Sequence, residues 1–154
     1  MPSSYTSLNY HIVFSTKHRK PLLVDAIRED VYKYIAGIIQ NKEGQLIEIG
    51  GIEDHIHILT SCSPKLALAD FIRDVKANAS KWINEQPRST KFAWQSGYGA
   101  FTVSVSQVEV VRQYIRNQAE HHKKQSFADE FRATLSKHKI AFDEERLFED
   151  EFHG

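Results

Sequence analysis

"QLIEIGGIEDHIHILTSC", Gln45–Cys62, is the stretch on which the fold turns. It reads as two short strands separated by a Gly50-Gly51 turn region, the second strand carrying "HIHIL". Successive side chains of a strand leave opposite faces, so His55 and His57 share one face while Ile56 and Ile58 enter the core from the other. Isoleucine in place of either histidine would bury more apolar surface. The imidazoles therefore mark either a partly exposed polar face or a task, and the rest of the chain has to decide.

Working outward, "TSLNYHIVFS" (Thr6–Ser15) alternates Leu8, Tyr10, Ile12 and Phe14 with Ser7, Asn9 and His11, the pattern of a half-buried strand. "VDAIREDVYKYIAGIIQNKEG" offers Asp25 as a cap, an apolar stripe of Ile27, Val31, Ile35, Ile38 and Ile39, and Gly44 as a stop, which predicts a helix. After the histidine strand, "SPKLALADFIRDVKANASKWINEQP" predicts a second helix, capped by Ser63 with Pro64 at its first position and ending before Pro87. "AFTVSVS" (Ala100–Ser106) alternates again and predicts a fourth strand. The order β-α-β-β-α-β makes this an α+β chain of the ferredoxin-like class, an antiparallel sheet with both helices on one face and the other face free for function. Additional C-terminal helices follow. One opens with a Ser106/Glu109 capping box and carries Val108, Val111, Ile115 and Ala119 as its stripe; another is "FADEFRATLSKHK", Phe127–Lys139.

With 154 residues, 41% hydrophobic and 26% charged, the chain is expected to fold as one domain spanning residues 1–154, of which 139–154 form an acidic tail. A single cysteine, Cys62, excludes an internal disulfide and any multi-cysteine zinc site, and no apolar run reaches membrane length; a cytoplasmic protein is the expectation. Lys plus Arg and Asp plus Glu both total 20, so the net charge is zero. Basic runs around Ser15–Pro21 and Glu120–Ser126 are nonetheless set against the acidic tail, so a neutral total can hide a basic face.

Two imidazoles on a rigid strand supply half of a coordination shell, because neutral imidazole is the commonest protein metal ligand. In "QYIRNQAEHH", Tyr114 and Gln118 stand four residues apart and share one helical face, displaced from the Val111/Ile115 stripe. An amphipathic rim is the ordinary reason for such a pair, but it occurs here together with the histidines.

The blocks "YHIVFSTKHRKPLL", "EDHIHIL", "WQSGYGAFTVS" and "YIRNQAEHHKKQSF" together resemble the single-tyrosine transposases of the IS200/IS605 class, members of the HUH endonuclease superfamily named for histidine-hydrophobe-histidine. The resemblance runs from about Tyr5 to His138, and its blocks occur in family order. It implies that His55 and His57 are metal ligands with Gln118 as the third, and that Tyr114 is the nucleophile. It implies cleavage and rejoining of single-stranded DNA through a covalent 5′-phosphotyrosine after recognition of hairpins at element ends. It also implies a homodimer that pairs the tyrosine helix of one subunit with the histidines of the other. Two nitrogens and one amide oxygen, with no thiolate, suit Mg²⁺ or Mn²⁺.

His121 and His122 fall within a turn of Gln118 and compete for the ligand role, although beside Lys123 and Lys124 they read better as solvent- or DNA-facing. Asp54 and Glu120 are candidates to orient ligands from behind. Lys17, Arg19 and Lys20 after the first strand, and Arg73, Lys76 and Lys81 on the second helix, could position phosphates; solvated surface charge is the rival reading. Trp94 and Tyr98 could stack on unpaired bases, or pack under their own loop. Histidine-triad nucleotide hydrolases also alternate histidines on a strand, but Leu59 occupies the position where they need the next one. A non-catalytic nucleic-acid-binding module of the same fold, and a host-retained relative that processes repeated palindromic sequences, stay open as alternatives.

Overall fold

The alternation read from the strands becomes a four-stranded antiparallel sheet in the computed structural model of the chain, which describes residues 3–88, 90–144 and 147. The strands are β1 (Asn9–Ser15), β2 (Gln45–Ile52), β3 (His55–Ser61) and β4 (Gly99–Thr102), in the spatial order β2-β3-β1-β4. In register, Val13 faces His57, Ser15 faces His55 and Phe14 faces Ile56. Paired residues share a face. Ile12, Phe14, Ile56 and Ile58 therefore enter one core with Val31, Ile35 and Ile39 of α1 (Asp25–Asn41) and Phe71, Ile72, Val75 and Ile83 of α2 (Leu68–Glu85). Most acidic residues of the expected tail lie outside the described residues. Among the described residues, no helix is long and apolar enough to cross a membrane.

The opposite face is covered rather than free. Val13 and Phe101 pack against Phe127, Phe131 and Leu135 of α5 (Phe127–Lys137), and Ile115 of α3 (Val108–Arg116) comes down on β2. Glu48 helps to dock α3, accepting hydrogen bonds from Arg112 at 3.2 Å and Arg116 at 2.9 Å. The helix that was expected to run unbroken past Tyr114 stops at Arg116, Asn117 leaves helical geometry, and a single turn, α4 (Gln118–His121), follows. Of its expected stripe only Ile115 is buried.

Gly50 and Gly51 do not turn the chain. They continue β2, opposite His57 and Ile56, and the hairpin closes at Glu53-Asp54. The glycines answer to proximity: a Cβ on Gly50 would lie 2.8 Å from the Ile115 carbonyl oxygen, and one on Gly51 2.2 Å from that of His55. A glycine pair signals either a bend or a close approach, and here the second holds.

Three helix starts also differ from expectation. Asp25 is the first helical residue and pairs with Arg28 instead of capping. Ser63 accepts from the Lys65 amide at 3.2 Å, forming a separate turn, and α2 begins five residues later. Ser106 lies in a short 3₁₀ turn, Val105–Gln107, and Glu109 accepts from Gln113 at 3.0 Å, so no capping box forms.

Gly50→Ala should push α3 away from the sheet and cost about 1–3 kcal/mol, the usual range for overpacking. Thermal melts should show a lower midpoint, whereas Gly37→Ala, where a Cβ meets nothing within 4 Å, should not lose stability.

Candidate active site

β3 is flanked by β1 and β2, so hydrogen-bonded ladders on both sides hold its histidines. His55 is 0% exposed and His57 1%. Each imidazole is oriented from behind. His55 Nδ1 lies 2.8 Å from Asp54 Oδ1, and His57 Nδ1 lies 2.7 Å from His11 Nε2. An ionised carboxylate only accepts, so Asp54 fixes the proton of His55 on Nδ1 and leaves the Nε2 lone pair aimed inward.

What meets those inner nitrogens comes from the helices above. Gln118 Oε1 stands 2.8 Å from His55 Nε2 and 3.1 Å from His122 Nε2. Glu130, on α5, places Oε1 at 3.1 Å from both His57 Nε2 and His122 Nε2, and 3.4 Å from His55 Nε2. Its other oxygen, Oε2, accepts from Gln118 Nε2 at 3.1 Å and from the Tyr114 hydroxyl. Since the amide nitrogen of Gln118 is engaged by Glu130, its oxygen faces the His55 lone pair: two acceptors 2.8 Å apart, which demand a proton or a cation between them.

The electrostatics follow from burial. Burial pushes His57 down to about 4, against the hydrogen bond to Glu130, and pushes His11 down to about 3, with His57 reinforcing the effect. Both imidazoles stay neutral, the form that ligates a metal. Burial also raises the Tyr114 phenol above its ordinary range, and the hydrogen bond to the Glu130 carboxylate raises it further. Glu130 itself is disfavoured as an anion by burial, yet hydrogen bonds from His122 and His57 hold it well below the usual carboxylate range.

This donor set fits a divalent cation. His55, His122 and Glu130 each offer one ligand atom, all within 4.8 Å of one another. Ligands about 2.1 Å from a six-coordinate ion lie about 3.0 Å apart along adjacent edges, close to the spacings here. His57 and Gln118 border the same centre through the contacts above.

Of the residues singled out in sequence, His55, His57, Gln118 and Tyr114 converge. Asp54 stands behind His55, whereas Glu120 pairs with Lys123 at 3.0 Å on the surface and orients no ligand. His122 turns inward rather than facing solvent, its side chain 4% exposed; His121 is exposed and stacks on Tyr114 with ring centroids 4.6 Å apart. Lys17, Arg19 and Lys20 sit in and after the 3₁₀ turn that follows β1. Lys76 donates to the carbonyls of Gln95 and Gly97 at 2.8 and 2.7 Å, Arg73 pairs with Asp70, and Lys81 is exposed. Trp94 turns inward against Phe14 and Phe92 and donates to the Lys76 carbonyl, while Tyr98 is 40% exposed. None of these touches the cluster. Glu130 and His11 do, and sequence reasoning passed over both. Glu130 carried one signal, an acid on the same helical stripe as Phe127, Phe131 and Leu135.

A cavity of about 670 Å³ reaches this cluster between α3 and α5, lined by His11, Phe101, Val110, Tyr114, Glu130 and His138.

The family model described as "Transposase IS200 like" matches residues 4–118. The sequence is similar to the transposase for insertion sequence element IS200 of Salmonella typhimurium, 29% identical over 120 residues that cover 74% of this chain and 78% of that one. It is 26% identical over 117 residues to the ISDra2 transposase TnpA of Deinococcus radiodurans, covering 72% and 84%. Among solved structures, a putative transposase from Deinococcus radiodurans superimposes with a TM-score of 0.59 at 24% identity, over 77% of this chain and 96% of that chain. A REP-associated tyrosine transposase bound to a REP hairpin gives a TM-score of 0.60 at 10% identity, over 79% and 74%. These two structures share the fold.

The buried histidines make stability depend on pH. His57 and His11 titrate lower in the folded chain than their ordinary 6.5, so the unfolded chain takes up protons first. Their contribution is present above pH 6.5 and is lost as pH falls through about 4 and about 3. His122, raised by its bond to Glu130 against burial, acts in the opposite sense. The unfolding free energy of metal-free protein should fall between pH 6.5 and 4, by up to about 1.4 kcal/mol per pH unit for each histidine, and less steeply in His11→Gln, with thermal midpoints following in the same order.

Proposed function

The chain belongs to the IS200-like transposase family, and on that premise we propose that it cleaves and rejoins single-stranded DNA through a covalent 5′-phosphotyrosine on Tyr114, after recognising hairpins at element ends. The observation that carries the reading is the meeting of phenol and imidazoles: the Tyr114 hydroxyl donates to a carboxylate whose other oxygen accepts from His57 and His122. A stacking module with no chemistry to perform would have no use for a buried phenol-carboxylate-imidazole cluster behind its sheet.

In this reading His55, His57 and Gln118 hold a divalent cation, Mg²⁺ or Mn²⁺, which supplies Lewis-acid polarisation of the scissile phosphate and stabilises the charge that develops there. Tyr114 Oη gives up its proton to water as it forms the bond to phosphorus, the bond from phosphorus to the 3′ oxygen breaks, and that oxygen leaves as a hydroxyl after taking a proton from water. The phosphotyrosine keeps the bond energy, so a second 3′-hydroxyl can reverse the step without an external energy source. Asp54 and His11 hold the two imidazoles with their Nε2 atoms inward. The cavity beside Tyr114 gives a strand its way in.

The solved neighbour bound to a REP hairpin supports hairpin DNA as the form of substrate. It also supports a second reading, in which the chain is a host-retained relative that processes repeated palindromic sequences with the same chemistry. The proposed assembly is a homodimer. In that dimer the tyrosine helix of one subunit pairs with the histidines of the other; within this single chain Tyr114 already lies beside His57 and Glu130.

Incubation with labelled single-stranded hairpin DNA and Mg²⁺ or Mn²⁺ should yield a covalent protein-DNA adduct on a denaturing gel. Tyr114→Phe and added chelator should each abolish it; an adduct that survives in Tyr114→Phe would remove the tyrosine from its role. His57→Ala should reduce adduct formation by at least about 10²-fold while hairpin binding, measured by gel shift, stays within about threefold. Joint loss of binding and cleavage, in a variant whose circular dichroism matches the parent, would contradict the division of roles.

A further inference from the structure

We propose that Glu130 is itself an anchor of the divalent site, a bridging carboxylate that lends Oε1 to the cation alongside His55 and His122 while Oε2 holds the Tyr114 hydroxyl. The proposal rests on the metal-dependent reading above and adds to its ligands two residues beyond the stretch that the family model matches, His122 and, from α5, Glu130.

Burial is the first argument. Glu130 is 2% exposed and sits on the stripe of α5 that carries Phe127, Phe131 and Leu135, where an aliphatic side chain would bury more apolar surface. A buried carboxylate costs several kcal/mol unless a positive charge lies close. The partners of Glu130 among the described residues are His55, His57, His122, Gln118 and Tyr114, and no lysine or arginine pairs with it there. None of those five carries a permanent charge. A divalent cation at the centre they surround supplies what is missing, and the anion then repays its burial in affinity.

Geometry is the second. Glu130 Oε1 lies 3.1, 3.1 and 3.4 Å from three imidazole Nε2 atoms, hydrogen-bond spacings in the metal-free chain that also match the edge lengths between ligand atoms around one ion. His122, Gln118 and Glu130 are also mutually in contact, so the carboxylate closes the side of the cluster opposite β3. The third argument is its second oxygen. The bond to Tyr114 places the nucleophile one carboxylate away from the ion, so the group that fixes the cation also fixes the attacking atom.

The test is Mn²⁺ binding to the full chain by isothermal titration calorimetry, without DNA. Wild type should bind one Mn²⁺. Glu130→Gln, which keeps shape and removes charge, should weaken binding at least tenfold; His122→Asn should also weaken it; Tyr114→Phe, which removes only the phenol oxygen, should stay within twofold. Glu130→Asp, which keeps the charge, should bind more tightly than Glu130→Gln and serves as the deciding variant if the glutamine form does not fold. Mn²⁺ should raise the thermal midpoint of wild type more than that of Glu130→Gln. If His57→Ala loses Mn²⁺ while Glu130→Gln and Glu130→Asp both bind like wild type, the metal reading stands and the carboxylate is no ligand. If wild type takes up no Mn²⁺, both fall.

Discussion

The two-residue repeat of β3 is the constraint on which the rest depends. It sends Ile56 and Ile58 into the aliphatic core under α1 and α2 and leaves His55 and His57 no choice but the other face. A register slip of one residue would exchange the sets, burying imidazoles among isoleucines and exposing isoleucines to the site. The apolar face thus enforces the placement of the polar one. Strands on both sides of β3 keep the histidine backbone from adjusting, so the histidine positions are a property of the sheet and not of a loop.

A second layer of helices then makes those histidines a site. Polar groups under cover must find partners, and here they find one another: Asp54 and His11 behind, Gln118, His122 and Glu130 in front. Low local polarity keeps His57 and His11 neutral and the phenol protonated. It also makes any charge brought to the cluster count for more than it would in water. Cover, neutrality and ligand character are consequences of one packing decision.

Much of this was legible because it is local. Period two marked β1, β3 and β4, period 3.6 marked α1 and α2, and the pair of histidines on one strand face followed directly. Signals with two physical meanings were not legible. Gly50-Gly51 serves close packing against Ile115, not a turn, and Ser63-Pro64 opens a turn that stops short of the helix. Glu130 shows the same limit at long range. It meets His57 across 73 positions of sequence, and in a chain with twenty acids only its place on an apolar stripe set it apart. His122 was misjudged because neighbouring lysines suggested solvent, whereas the break at Asn117 turns the chain and swings its ring inward.

That break has a mechanical sense. Tyr114 belongs to α3, which is docked on β2 by Glu48 and by Ile115 over Gly50; Gln118 and His122 belong to the short turn beyond it; Glu130 arrives on α5, held by Phe127 and Phe131 against Val13 and Phe101. Phenol, the amide and imidazole beyond it, and the carboxylate are therefore carried by separate pieces, joined through one set of hydrogen bonds. An unbroken helix would tie the direction of Gln118 to that of Tyr114. With the break, the phenol faces the cavity in a direction of its own while Gln118 keeps its hold on His55 of the sheet.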